Sequence, residues 1–350
     1  MCEGIASRGG AEVFHVAASG AQAFNVAVDT CAISLEGAAC CICGTEKLGH
    51  DSRKPEGLVC GCSCDRTAGC VHLSCVVRQA ATANFPGIYS EAAWAQWRTC
   101  ARCHQEYHGV VRHALGWACW LRYARTEKSV LAVQYAALLE LASGLMEVEN
   151  FQGAYDVLEM MREMTAHITE RNFRGIYALV TRVRIYHDRC SHKLGMVDGE
   201  PLDFCRGTIS FCESIVGNDH ELTHLAALDL GTCLLDEHSV TEAVGYLADR
   251  STLAERALGA DHTITIELNW RWAQAKYRHH FFGHENFRKE LIQSICILFH
   301  VGDNSSRVLG DHHPLTENIH ASIELCFAEQ LDWTLDDFSP DLREVAQEHL

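Results

Sequence analysis

Eight cysteine and histidine side chains at metal-ligand spacing constrain this chain more than any other feature. They run Cys40-x2-Cys43, eighteen residues, Cys62-x-Cys64, seven residues, His72-x2-Cys75, twenty-four residues, Cys100-x2-Cys103. Two residues between cysteines let one turn present both thiolates to one ion, and a tetrahedral ion such as Zn2+ takes four soft or borderline ligands. Eight ligands fill two closed sites with no position left for a reactive water. The pattern therefore predicts two structural Zn2+ ions and no hydrolytic centre.

The other cysteines sharpen the expectation. Ten of the nineteen lie between Cys40 and Cys103, and only six fall in the 231 residues after Cys119. The first thirty residues lack a basic start followed by an apolar run, so a reducing compartment, cytoplasmic or nuclear, is expected. There, clustered thiols hold metal in preference to forming a disulfide framework. Cys41 beside Cys40, and Cys60 in Cys60-x-Cys62, offer alternative ligands. Cys70, next to Val71, reads as a small buried apolar residue.

Charge excludes two classes of function. With 29 basic against 46 acidic residues, a formal net charge of −17, the chain is not built to neutralise nucleic-acid phosphates. No stretch of eighteen apolar residues is free of charge, so no membrane span is expected. Residues 1–110 hold ten acidic and eight basic side chains, which leaves nearly all the negative charge on the part that follows.

Five segments result. Residues 1–38 have no sustained apolar period and are undetermined. Residues 39–109 are rich in Cys and Gly and too loop-dominated to hold together by burial alone, so metal must staple them. Residues 110–127 read as a connecting helix, 128–330 as helical repeats with apolar residues at i, i+3, i+4, and 331–350 as an acidic tail, frayed or in a short helix.

The helical part repeats itself. Gly217-Asn218-Asp219-His220-Glu221-Leu222-Thr223 recurs as Gly259-Ala260-Asp261-His262-Thr263-Ile264-Thr265 and as Gly310-Asp311-His312-His313-Pro314-Leu315-Thr316, at offsets of 42 and 51 residues. Each copy places a turn glycine, then short polar residues able to cap a helix, then an apolar residue and Thr opening the next period. Gly231 and Leu234 precede Ala243 and Leu247 at the offsets by which Ala142 and Leu145 precede Ala154 and Leu158, a pattern that lets paired helices approach closely. The region resembles tetratricopeptide repeats, of the kinesin-light-chain variety, over roughly 128–330. The register blurs between His187 and Phe211, and the 51-residue offset predicts an insertion near Phe299 to Val308.

The ligand order of the finger, with His fifth and one residue between the third and fourth ligands, resembles the RING-CH (RING-variant, C4HC3) zinc finger. Gly69 to Arg78 and Trp97 before Cys100 also look like that family. The fold class expected from the two resemblances is a small zinc-stabilised cross-brace finger, RING-like and α+β, followed by an all-α tetratricopeptide-like solenoid. A cross-brace implies that Cys40, Cys43, His72 and Cys75 share site one, and that Cys62, Cys64, Cys100 and Cys103 share site two. The resemblance also implies an E3 ubiquitin ligase without a catalytic side chain, whose finger contacts a ubiquitin-conjugating enzyme through Ile42 and Trp97 while the repeats bind a protein substrate or peptide. Where some active RING ligases carry Arg or Lys after the last pair, this chain has His104-Gln105. The alternative is a non-enzymatic zinc-containing scaffold.

A third reading is a metallopeptidase. His220-Glu221-Leu222-Thr223-His224 is an H-E-x-x-H match, with Glu242 as a candidate third ligand. The repeat register opposes it, because His220, Leu222 and Thr223 recur in the other copies without a second histidine. Phosphate-loop and nucleophile-elbow motifs are absent from the sequence, and His279, His280, His284 and His300 read as surface or packing residues.

Overall fold

The chain is described by a computed structural model over residues 22–23, 25–27, 39–46, 56–64, 70–82, 94–124, 131–168, 176–196, 200–280 and 287–328. Most of the undetermined N-terminal segment, the acidic tail 331–350, Gly69 and His284 lie outside the described residues. The chain divides into two compact units, Met1–Met196 and Val197–Leu350. The boundary falls inside the stretch where the repeat register blurs.

In the first unit the finger contributes helix α1 (Leu73–Thr82) and is followed by α2 (Gly109–Ala124), α3 (Leu131–Glu147), α4 (Phe151–Ile168) and α5 (Ile176–Lys193). The β part of the expected α+β finger reduces, among the described residues, to two isolated antiparallel bridges, Val59 to Val71 and Thr99 to Glu106. A helix, α2, stands where the connecting helix is expected, and it is also a shared core element. Val111, Ala114 and Leu115 of α2 pack with Cys40, Val59, Val71, Cys75, Cys100 and Tyr107 of the finger. Cys119, further along α2, meets Ala80, Trp94, Trp97, Ala136 and Ala137, and Trp117 joins Tyr135, Leu138 and Ala142.

Two glycines set how closely α2 and α3 approach. A Cβ on Gly116 would stand 2.6 Å from the Glu140 carbonyl oxygen, and one on Gly144 would stand 2.9 Å from that of Arg112. Backbone meets backbone there, so only glycine fits. The polar side of the contact is carried by Glu140, whose carboxylate accepts from Arg98 Nη1 at 3.0 Å and Arg112 Nη2 at 2.6 Å. All three side chains are nearly excluded from solvent. One carboxylate thus ties the finger, α2 and α3 together. In the α3–α4 pair, Ala142, Leu145, Ala154 and Leu158 are all buried, as their matched spacing requires.

The second unit comprises α6 (Pro201–Ile215), α7 (Glu221–Asp236), α8 (Val240–Leu258), α9 (Thr263–His280), α10 (Phe287–Leu309) and α11 (Pro314–Ala328). Each helix packs on the next, and α7 also packs on α9 and α9 on α11. That next-but-one contact is what stacked helical pairs make. The repeated linker has one conformation in all three copies. Gly217, Gly259 and Gly310 have φ of 94°, 93° and 84°, a region favourable to glycine. His220, His262 and His313 then accept the backbone N–H two residues on through Nδ1, at 3.2, 3.3 and 3.1 Å. Histidine here does the capping work of a short polar residue.

The 51-residue offset has a different origin from the expected insertion at Phe299 to Val308, which is continuous helix within α10. Compared with α7 and α8, α9 is longer by two residues, α10 by four and the connection between the helices by three. A helix can lengthen without losing register on its neighbour only by presenting a further turn, and α10 buries Leu298, Phe299, Val301 and Leu309 along that length.

Candidate metal centre

The finger is organised by two turns of the same design. In the first, Gly44 N–H donates to the Cys40 carbonyl at 2.8 Å and Cys40 N–H to that of Thr45 at 2.9 Å. In the second, His104 N–H donates to the Cys100 carbonyl at 2.9 Å and Cys100 N–H to that of Gln105 at 2.9 Å. Each turn needs a left-handed residue directly after its second cysteine, supplied by Gly44 at φ 74° and by His104 at φ 60°. The Cys-x2-Cys spacing is the sequence trace of this loop, which aims both thiols to one side.

The remaining donors come from a helix start and a short extended piece. His72 caps α1, its carbonyl accepting from Cys75 and Val76, so Cys75 sits in the first helical turn where the helix dipole favours a thiolate. Glu56 accepts the Ser74 N–H at 2.9 Å and satisfies another free donor of that helix end. Cys62 and Cys64 follow the Val59 to Val71 bridge.

These elements bring the eight side chains into two groups, Cys40, Cys43, His72 with Cys75, and Cys62, Cys64, Cys100 with Cys103. Within each, one donor atom per residue lies within 4.8 Å of all the others, and both groups could hold a metal ion. Cys43 Sγ is 3.4 Å and Cys75 Sγ 3.9 Å from His72 Nδ1, while Cys64 Sγ is 3.9 Å from Cys100 Sγ. A tetrahedral ion with metal–sulfur bonds of about 2.3 Å and metal–nitrogen bonds of about 2.05 Å has edges of roughly 3.8 Å between sulfurs and 3.6 Å from sulfur to nitrogen. These three separations are close to those edges.

Proton sharing among the thiols points the same way. The Thr45 hydroxyl and backbone pull the Cys43 thiol down to about 6, whereas burial and the neighbouring Cys40 push Cys75 up to about 12. In the second group, hydrogen bonds from Cys103 and Cys62 hold Cys100 low, and burial with Cys103 drives Cys64 up to about 12. Four thiols this close cannot all ionise without a cation among them, so a divalent ion is the natural counter-charge.

Of the surplus cysteines, Cys41 is exposed and outside both groups. Cys60 and Cys70 form a disulfide across the bridge, with Cα atoms 4.9 Å apart. Cys60, an expected alternative ligand, is thus paired instead with Cys70, which lies buried in the finger's core as expected of it. The signal for the pairing was positional, because residues 60 and 70 flank the paired Val59 and Val71 and so face each other.

The two expected contact residues differ. Ile42, between the first two ligands, leaves 41% of its surface exposed. Trp97 is fully buried against Ala80, Cys119, Ala136 and Ala137, with its ring edge-on to Tyr123 at 5.9 Å. A side chain with no exposed surface offers nothing to a partner, so Trp97 is a packing residue.

The H-E-x-x-H residues do not assemble. His220 precedes α7 in extended conformation and spends Nδ1 on capping, His224 is fully buried one turn later, and Glu242 pairs with Arg206 at 2.7 Å. Among the described residues the two finger groups are the ligand clusters present.

No family model matches the chain, and no curated protein matches it. Among solved structures it is similar to a kinesin-light-chain-like protein of Podosopora anserina with nearly identical TPR-like repeats, at 17% identity and a TM-score of 0.37, over 56% of this chain and 86% of that one. At that score, the description of the repeats rests on the helix pairs themselves. No helix among the described residues is long and apolar enough to cross a membrane.

Proposed function

We propose that this chain is a recruiting protein of the E3 ubiquitin ligase type. Two Zn2+ ions staple the finger, the finger docks a ubiquitin-charged conjugating enzyme, and the helical repeats bind the protein to be modified. The observation that carries the reading is the interleaving of the donor groups: residues 40–43 join 72–75 around residues 62–64, which join 100–103. Zinc suits donor sets of three sulfurs with one nitrogen and of four sulfurs, and its part is to cross-link distant segments. Ile42 supports docking, since an aliphatic side chain held exposed at the rim of a rigid turn is a ready contact.

Metal analysis tests the foundation. Two zinc per chain are expected, one lost in Cys40→Ser and the other in Cys100→Ser, while Cys60→Ser and Cys70→Ser retain both. Autoubiquitination with a panel of conjugating enzymes tests the activity, which Ile42→Ala should abolish without loss of metal. Zinc content of two with no activity for any enzyme refutes the ligase and leaves a zinc-stapled scaffold. Burial of Trp97 and the His104-Gln105 sequence favour that second reading.

A further inference from the structure

Cys60 and Cys70 stand on the two arms of the Val59 to Val71 bridge, each one residue from its paired position. Val59 and Val71 exchange both backbone hydrogen bonds, at 2.8 and 3.0 Å, so the next pair out is the non-hydrogen-bonded kind in which facing side chains come closest. A Cα separation of 4.9 Å suits a disulfide with no movement of the backbone.

The bond lies between the two donor groups. Cys62 of the second group follows Cys60 by two residues, and His72 of the first follows Cys70 by two. The Cys70 carbonyl accepts the Cys41 N–H at 3.1 Å, which fastens the Cys40 turn to the same arm. On the other arm the Gly61 carbonyl accepts the His108 N–H at 2.9 Å, and a Cβ on Gly61 would stand 2.7 Å from the Val111 side chain, so this arm is pressed against α2. Between the arms the backbone supplies the two bridge hydrogen bonds, and so short a pairing is marginal by itself. The covalent bond is left to hold them in register. Its sulfurs are unequally reachable, since Cys70 is 1% exposed and Cys60 is half-buried.

We propose that the Cys60–Cys70 bond is a redox latch on both metal groups. Closed, it fixes the donors on the two arms and the ions are held firmly; opened by a small thiol, it lets the arms part and both ions leave faster. In the opening step a thiolate attacks Cys60 Sγ, the S–S bond breaks, and Cys70 leaves as a thiolate that takes up a proton. A second thiol attacks the mixed disulfide, Cys60 leaves as a thiol, and the two attacking thiols end as their own disulfide. Two electrons and two protons pass to the protein, and an oxidised thiol reverses the exchange. The latch rests on the zinc reading of the finger and is independent of ligase activity.

Zinc transfer to a chromogenic chelator tests it, on the zinc-loaded full chain poised in oxidised or in reduced glutathione, with alkylation and mass spectrometry reading the state of Cys60 and Cys70. Release of both ions is expected to be at least about tenfold faster from the reduced chain, the scale on which supports around metal ligands act. The double variant Cys60→Ser, Cys70→Ser should release at the reduced rate in either buffer. Cys60→Val, Cys70→Val repeats the comparison with side chains suited to a buried strand pair if the serines unfold the finger. The direction is diagnostic, because oxidation of the ligand thiols would release metal faster from the oxidised chain. Equal rates from the two states of the parent, faster release from the oxidised state, a redox response that survives in the double variants, or alkylation of Cys60 and Cys70 in oxidised glutathione overturns the latch. A chain with two zinc ions and equal rates loses the latch alone, whereas a chain that takes up no zinc loses the latch and the metal reading of the finger together.

Discussion

Glu140 is the place where the first unit is most sensitive to a single atom pair. Glu140→Gln keeps the shape of the side chain and removes the charge that Arg98 and Arg112 share. Burial works against the Arg112 charge and the Glu140 carboxylate more than offsets it, so the guanidinium is held above its ordinary value. Removing one partner of a buried ion pair costs about 3–5 kcal/mol, because the remaining charge stays desolvated and unanswered. Here Arg98 keeps its contact with Glu106, while Arg112 keeps no other ion pair among the described residues and only the longer-range pull of Glu106, so the cost should fall on Arg112. For a unit of this size each kcal/mol moves the melting temperature by roughly 2–4 °C, so a drop of about 6–20 °C is expected in the thermal transition of the first unit. The apolar replacement Arg98→Met, Arg112→Met, Glu140→Leu should recover most of it, since a buried triad can be exchanged for packed side chains with little loss. A Glu140→Gln protein that melts within about 2 °C of the parent, or a triple variant no better than the single, would refute the assignment of Glu140 as the buried counter-charge.

Three further outcomes follow from the geometry. His104→Gly should stabilise the finger by about 0.5–1 kcal/mol, the relief of a left-handed side chain exceeding the added freedom of the unfolded glycine; a lower denaturant midpoint speaks against the shared turn design. Gly144→Ala should destabilise by about 1–3 kcal/mol although alanine is the better helix former, because its Cβ meets the Arg112 carbonyl; a gain in stability would show that α2 and α3 are not in backbone contact. Burial, with Arg250 next, holds the His224 imidazole below its ordinary value. Below about pH 6.5 the unfolded chain therefore binds more protons, so the second unit should lose stability on acidification and His224→Leu should flatten that loss, as read from denaturant midpoints between about pH 7 and 5; parallel slopes refute it.

What sequence could and could not disclose divides along physical lines. Ligand spacing was legible because Cys-x2-Cys is the direct imprint of a turn that must aim two thiols at one point. The repeat linker was legible because Gly217, Gly259 and Gly310 sit where backbone conformation restricts the residue. Trp97 was not, since a tryptophan near a ligand pair reads the same whether it faces a partner or Cys119. Nor was the role of α2 read, although Val111, Ala114, Leu115, Trp117 and Cys119 place apolar residues around much of its circumference, the mark of a helix buried on several sides. The Glu140 ion pairs join residues 28 and 42 positions apart, and no local pattern encodes such a distance.

Because α2 belongs to the finger's core as much as to the helices, ions held by the two proposed donor groups would form one thermodynamic system with the helices of the first unit. Stripping the ions with a chelator should release Val111 and Leu115 from their packing and then melt α2 and α3, which touch no metal. Helical circular dichroism would follow zinc occupancy, and amide exchange in α3 would quicken before any helix of the second unit responds.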